Sequence, residues 1–175
     1  MKKFELTNEF ITNMFGTKLF RIRALVEFGD VEAGELGGYV EKESNLGHDD
    51  NAWVYDNAWV YGNAQVSGDA QVSGDALVYG NARVYGNALV CGDARVCGDA
   101  RVCGNGDYAY AHGFGSVNRT TTFFRLKDGG VGVRCGCFYG TLAQFRDKIR
   151  ETHGETKKAQ EYLMLADLMK LRFEK

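Results

Sequence analysis

The sequence predicts an all-β solenoid closed by a C-terminal β-hairpin and a two-helix cap. Three observations predict it. From Asn51 to Gly104 the chain reads NAWVYD, NAWVYG, NAQVSG, DAQVSG, DALVYG, NARVYG, NALVCG, DARVCG, DARVCG, which is nine hexads in 54 residues without insertion or deletion. Each hexad has Asn or Asp first, Ala second and Val fourth, and eight of the nine end in Gly, the exception being Asp56. After Gly104 the period stops and gives way to a β-branched and aromatic stretch, then to two stretches of helical spacing. A fixed short period is the mark of a repeat architecture.

The hexad dictates its own geometry. Residues two apart in a strand share a face. Ala52 and Val54 therefore point one way, and Trp53 and Tyr55 the other. The Gly-Asn and Gly-Asp pairs that follow tolerate left-handed or otherwise strained backbone and suit a corner. A short strand and a two-residue corner, repeated, wind the chain so that every Ala and Val of the repeat faces one axis.

The Val-x-Gly-Asn/Asp-Ala-x pattern resembles the hexapeptide repeat of left-handed parallel β-helices, over Asn51–Gly104, about a third of the chain. One departure is that the glycine falls two residues after Val, where the family favours a small or acidic residue one after it. The resemblance implies a left-handed parallel β-helix with three hexads per triangular coil, hence three coils. One face then carries Trp53, Gln71 and Leu89, the second Trp59, Leu77 and Arg95, and the third Gln65, Arg83 and Arg101. Neighbours in a column lie about 4.8 Å apart. The second face, with Tyr61 and Tyr79, begins as an apolar, aromatic ladder, and an exposed ladder marks an interface. Members of the family are mostly trimeric. The expectation is a homo-oligomer, a trimer foremost, through Trp59, Tyr61, Leu77 and Tyr79; the alternative is that terminal segments cover this face. A solenoid this short needs caps or neighbours.

The flanks follow in order. Residues 1–50 read as an N-terminal strand and cap with an irregular first coil. Within them, residues 1–17 read as a short strand and a helix, Asn8–Met14, carrying Phe10, Ile11 and Met14, and Lys18–Val26 alternates as a strand with one buried face. Val40 and Leu46 are six apart, so an imperfect coil begins there, and His48-Asp49-Asp50 forms a bulge before the regular repeat. Residues 105–140 read as a loop and a hairpin: Thr120–Lys127, a turn at Asp128-Gly129-Gly130, and a returning strand Val131–Phe138. The hairpin would hide the open edge of the solenoid. Residues 141–175 read as helices. Thr141 and Gln144 make a capping box, Leu142, Phe145 and Ile149 form a stripe, and Gly154 is a C-cap glycine. The second helix, about Thr156–Phe173, carries an amphipathic stripe of Ala159, Tyr162, Ala166, Met169 and Phe173.

Composition narrows the class. A net charge of −2 lacks the basic bias of a nucleic-acid binder. No apolar run approaches the roughly 20 residues of a membrane span, and Glu5 and Glu9 interrupt any signal-peptide core. The expectation is a cytoplasmic protein, in the host cytoplasm if phage-encoded, with neither a nucleic-acid polymer nor a membrane as partner. The 5 cysteines show no Cys-x-x-Cys spacing. Cys91, Cys97 and Cys103 fall on different sides of one coil and Cys135 and Cys137 on one strand, which reads as reduced thiols without a metal. Asp and Asn interchange at the corners, as in Asp69, Asp75, Asn63 and Asn81, so turn geometry rather than calcium binding explains them.

Chemistry is expected where the repeat fails, between Tyr108 and Arg134. Gly113 and Gly115 let backbone amides approach a ligand. Arg suits bidentate binding of phosphate or carboxylate, and Tyr108, Tyr110, Phe114 and Phe123 would stack on a base. The expected ligand-binding set is Tyr108, Tyr110, His112, Asn118, Arg119, Thr120, Thr121, Arg125 and Arg134, for a small anionic ligand, a nucleotide foremost. The alternative is an ordinary polar hairpin. The whole reads as a non-catalytic, oligomeric small-ligand-binding protein without cofactor. It is similar to hexapeptide-repeat proteins of bacterial and phage genomes, and analogy with unrelated small phage proteins that sequester nucleotide immune signals of their hosts extends the reading to that role. A second reading is an acyltransferase with His112 as general base and acyl-CoA lying between solenoids; the repeat itself carries neither histidine nor inserted loop, which counts against it. A third is a purely structural solenoid.

Overall fold

The computed structural model describes residues 1–174. β1 (Phe4–Thr12) and β2 (Lys18–Ala24) form an antiparallel hairpin, and β2 pairs with β3 (Leu36–Val40). Nine two-residue parallel strands follow, one per hexad. β4 (Trp53–Val54), β7 (Gln71–Val72) and β10 (Leu89–Val90) stack as one sheet. β5 (Trp59–Val60), β8 (Leu77–Val78) and β11 (Arg95–Val96) form the second, to which β3 adds through Tyr39 and Val40. β6 (Gln65–Val66), β9 (Arg83–Val84) and β12 (Arg101–Val102) form the third, extended by a bridge from Leu46 to Val66. The three faces expected from the hexad are thus found, and with the imperfect coil of β3 and Leu46 the solenoid has about four turns. Every Ala and Val of the repeat is fully buried along one axis.

The corners explain the glycines. Gly62 to Gly98, one per hexad, have φ between 61° and 70°. Asp56 takes the same conformation at φ 52°, and its carboxylate accepts the Gly74 amide at 3.0 Å.

The ladder is polar, and its two ends differ. Each coil donates N–H groups to carbonyls of the coil after it, as Trp59 to Ala76 and Leu77 to Ala94, both 2.9 Å. The first regular coil therefore presents carbonyls that no repeat amide meets, some of them taken by the backbone amides of Tyr39, Glu41 and Gly47, and the last presents amides that no repeat carbonyl meets; all must find partners. Donors cap the first end. Lys3 Nζ reaches the carbonyls of Ala52 at 2.8 Å and Asp50 at 3.2 Å, and Asn45 Nδ2 those of Ala64 at 2.8 Å and Gly62 at 3.2 Å. Acceptors cap the last: the Leu89 amide donates to Asn105 Oδ1 at 2.8 Å, Cys91 to the Tyr108 hydroxyl at 3.3 Å, Arg95 to Thr122 Oγ1 at 2.9 Å, and Cys103 to Asp107 Oδ2 at 3.0 Å.

Two expectations for the flanks are corrected. Asn8–Met14 is not helical: β1 runs to Thr12 and pairs Phe10 with Phe20 and Ile11 with Leu19. Phe10 and Met14 have no core to face, being 45% and 90% exposed, and cross-strand pairing decides the conformation. Residues 105–140 are more than a loop and a hairpin. β13 (Tyr108–Phe114), β14 (Arg119–Arg125), β15 (Val131–Cys135) and β16 (Phe138–Thr141) form a four-stranded antiparallel meander. Gly136, at φ 57°, splits the expected returning strand in two.

One face of the meander, with Tyr108 and Phe124, closes the solenoid core, while the other, with Phe123 and Val133, packs on the helices. α1 (Leu142–His153) opens with the expected capping box of Thr141 and Gln144, and Gly154 caps its end. α2 (Lys157–Phe173) opens at Thr156 and buries the whole expected stripe, Ala159, Tyr162, Ala166, Met169 and Phe173. Lys175, the end of the expected helical segment, lies outside the described residues. No helix among these residues is long and apolar enough to cross a membrane.

Candidate functional site

A cleft of about 460 Å³ lies where the last coil meets the free end of the meander, lined by Asp93, Arg95, His112, Val117, Asn118, Arg119, Thr120 and Gly136. Three pieces of chain build it. Asp93 and Arg95 come from the last corner and strand of the second solenoid face. The β13–β14 hairpin brings His112 and the turn residues Val117 and Asn118, both at positive φ (52° and 48°). The β15–β16 turn contributes Gly136. A register shift between Ala111 and Phe114 disturbs the pairing at His112, and such bulges re-aim side chains.

His112 Nδ1 lies 2.8 Å from Thr120 Oγ1 and 3.9 Å from Asp93 Oδ2. Both partners meet the same ring nitrogen, so the ring cannot relay a proton between them through its two nitrogens. Nε2 has no hydrogen-bond partner among the described residues. The His112 and Asp93 side chains are more than half exposed, so solvent screens their attraction. Two guanidinium groups, one carboxylate, an imidazole, a hydroxyl and an amide thus converge on one polar opening.

Of the expected ligand-binding residues, the cleft gathers His112, Asn118, Arg119 and Thr120. The others lie elsewhere. Thr121 points to the opposite face of β14, where its hydroxyl donates to Cys135 Sγ at 3.2 Å. Arg125 donates to the carbonyls of Phe173 at 3.0 Å and Gly129 at 3.1 Å and covers the Phe173 ring, which ties the end of α2 to the sheet. Arg134 donates to the Cys137 carbonyl at 3.4 Å. Tyr108 caps the solenoid and is buried, which pushes its phenol up. Tyr110 lies against the Gly92 corner. The cleft lining therefore holds no aromatic ring besides the imidazole. The residues that sequence reasoning missed are Asp93, Arg95, Val117 and Gly136. One signal was available: the column Trp59, Leu77 turns to Arg95 in the last coil.

The second face is half covered. Tyr61 and Tyr79 stack with centroids 5.1 Å apart and planes at 3°. Trp59 and Leu77 share a groove of about 320 Å³ with Ile11 and Tyr39 from the N-terminal strands. Beneath the stack, burial pushes the Cys97 thiol up, and the Tyr79 hydrogen bond and the Arg134 and Arg95 charges offset only part of that. A buried thiol of raised pKa is inert rather than nucleophilic.

Comparison with known families bears on the repeat alone. The YdcK Beta solenoid repeat model matches residues 52–68, 70–84, 78–92 and 82–98. No curated protein matches the chain significantly. The central third of this chain is therefore a hexapeptide-repeat β-solenoid, and its repeats are similar to those of the YdcK family.

Proposed function

We propose that the protein is a non-catalytic, oligomeric binder of a small anionic ligand, held in the cleft between Asp93 and Gly136. The observation that carries this reading is the convergence of Arg95 and Arg119, from separate elements, on one opening that holds a single carboxylate. Guanidinium groups bind phosphate and carboxylate as planar forks, and the Thr120 hydroxyl and Asn118 amide add neutral hydrogen bonds. With no flat aromatic wall, recognition rests on the anion rather than on a stacked base. A nucleotide, including an immune signal sequestered by a phage protein, would be held by its phosphates. Thermal shift with pyrophosphate, a nucleotide panel and acetyl-CoA tests this. Stabilisation by phosphate-bearing ligands, lost in Arg95→Ala and in Arg119→Ala, is expected; no shift with any of them favours the structural solenoid.

A second reading, acyl transfer, is favoured by one observation: Asp93 and Thr120 both meet His112 Nδ1, which leaves Nε2 open as a general base. Turnover of acetyl-CoA abolished by His112→Ala would replace the first reading with this one.

Self-association is part of the proposal. The half-buried apolar stripe of Trp59, Tyr61, Leu77 and Tyr79 supports an interface, and a trimer is expected. Sedimentation of Leu77→Glu should show a smaller species than the wild type. The left hand of the coil is inferred from the hexad's resemblance, and an experimental density map decides it.

A further inference from the structure

A second cavity, of about 230 Å³, opens at the seam between the β15–β16 turn and the helices. Its chemistry is segregated by depth. Phe145 and Ile149, each 3% exposed, form an apolar floor with Phe138 beside them. Arg119 and Lys148 stand on the lining as cations, the Lys148 side chain half exposed. No carboxylate pairs with Arg119 among the described residues, and Lys148 meets only Glu151, three residues on and 70% exposed. Such a surface pair is worth little and yields readily to a better-placed anion. The space equals about seven or eight waters at about 30 Å³ each, enough for a short acyl chain.

We infer that this cavity binds a small amphipathic carboxylate, its chain against Phe138, Phe145 and Ile149 and its headgroup at Arg119 and Lys148. The apolar walls provide the driving force, since each methylene placed against them leaves water. The two cations discriminate the carboxylate from a neutral chain of equal length. Apart from Arg119, these residues are separate from the anion-binding cleft.

Cys135 lines the same cavity and serves as a reporter. The probes are octanoate, octanol and inorganic phosphate, with titration calorimetry and the alkylation rate of Cys135, read by mass spectrometry, as measurements. Octanoate is expected to bind with unit stoichiometry and to slow alkylation of Cys135. The double variant Arg119→Gln, Lys148→Gln should weaken it by at least about tenfold. Thr152→Trp, at an exposed lining position, should block the cavity and abolish both effects without touching the core. Octanol binding as tightly as octanoate overturns the headgroup assignment, and protection that persists in Thr152→Trp overturns the location. Absence of saturable octanoate binding to the wild type at millimolar concentration overturns the proposal outright. Arg95→Ala keeps the two sites apart: it should remove phosphate binding in the cleft and leave octanoate binding intact.

Discussion

The Arg95 amide donates to Thr122 Oγ1 over 2.9 Å, in the place where one more coil would offer a carbonyl. One coil earlier the equivalent Leu77 amide is met by the Ala94 carbonyl at 2.9 Å. The meander thus ends the ladder with a side chain. Thr122 is fully buried, so Thr122→Val keeps the shape and leaves an amide unpaired. That should cost about 1–3 kcal/mol, read from urea unfolding. Thr122→Ser retains the acceptor and should recover most of the bond's share. Equal stabilities for Val and Thr would mean that water caps this amide.

At the other end Lys3 makes stability depend on pH. Burial pulls its amine down from 10.5 to about 8, against the opposing charges of Asp50, Asp49 and Asp69. The folded chain therefore holds this proton less tightly than the unfolded chain. Stability should rise with pH from about 8 towards the unfolded value, by at most about 1.4 kcal/mol per pH unit. Burial raises the Cys97, Tyr79 and Tyr108 groups instead. Their contributions are lost as pH climbs through and above their ordinary values, and because Lys3→Met keeps all three, the difference between the two proteins from about pH 7.5 to 9 isolates the amine. Wild type should gain on Lys3→Met across it. Parallel curves would show that the amine is solvated and the cap is not made through it.

Two glycines at the same hexad position should respond oppositely to alanine. Gly80 has φ 70°, and a Cβ there would come 2.9 Å from the Gly98 nitrogen. Gly80→Ala combines a strained backbone with a clash against the next coil and should cost more than about 1 kcal/mol. Gly104 has φ −158°, and a methyl group added there would meet nothing within 4 Å. Gly104→Ala should be neutral, or stabilising by about 0.4–1 kcal/mol through the unfolded chain. Equal losses at both positions would show that something other than backbone conformation calls for glycine at the corner.

The solenoid was legible because each hexad states its geometry alone: Ala and Val fix the inward face, Gly-Asn and Gly-Asp the corner, and nine copies agree. The helices were legible because Thr141, Gln144, Gly154 and Thr156 mark their ends chemically. The second half of the first strand was not, because the spacing of Phe10, Ile11 and Met14 also fits a helix and its partner in β2 comes from elsewhere in the chain. The cleft was legible on the hairpin side only. Arg95 differs from Arg83 by belonging to the last coil of its face, a fact of termination rather than of local sequence. Thr120 and Thr121 are alike in type but point to opposite faces of β14, which needs the strand's pairing to be known.

The β13–β14 turn offers the sharpest link between strain and ligand. Val117 sits at φ 52° and is 74% exposed. A β-branched residue in that region is an outlier, and such strain costs about 1–3 kcal/mol. Because little of the side chain is packed, Val117→Gly removes the strain at small loss of contact. Glycine's extra freedom in the unfolded chain takes back about 0.5–1 kcal/mol. The variant should therefore be more stable than the wild type by roughly 1 kcal/mol. If the turn holds Asn118 and Arg119 ready for an anion, the freer backbone should also weaken pyrophosphate binding, so that stability and affinity move in opposite directions. A variant that gains stability and keeps its affinity would detach the strain from the site. One that loses stability would show that valine is no burden at this position.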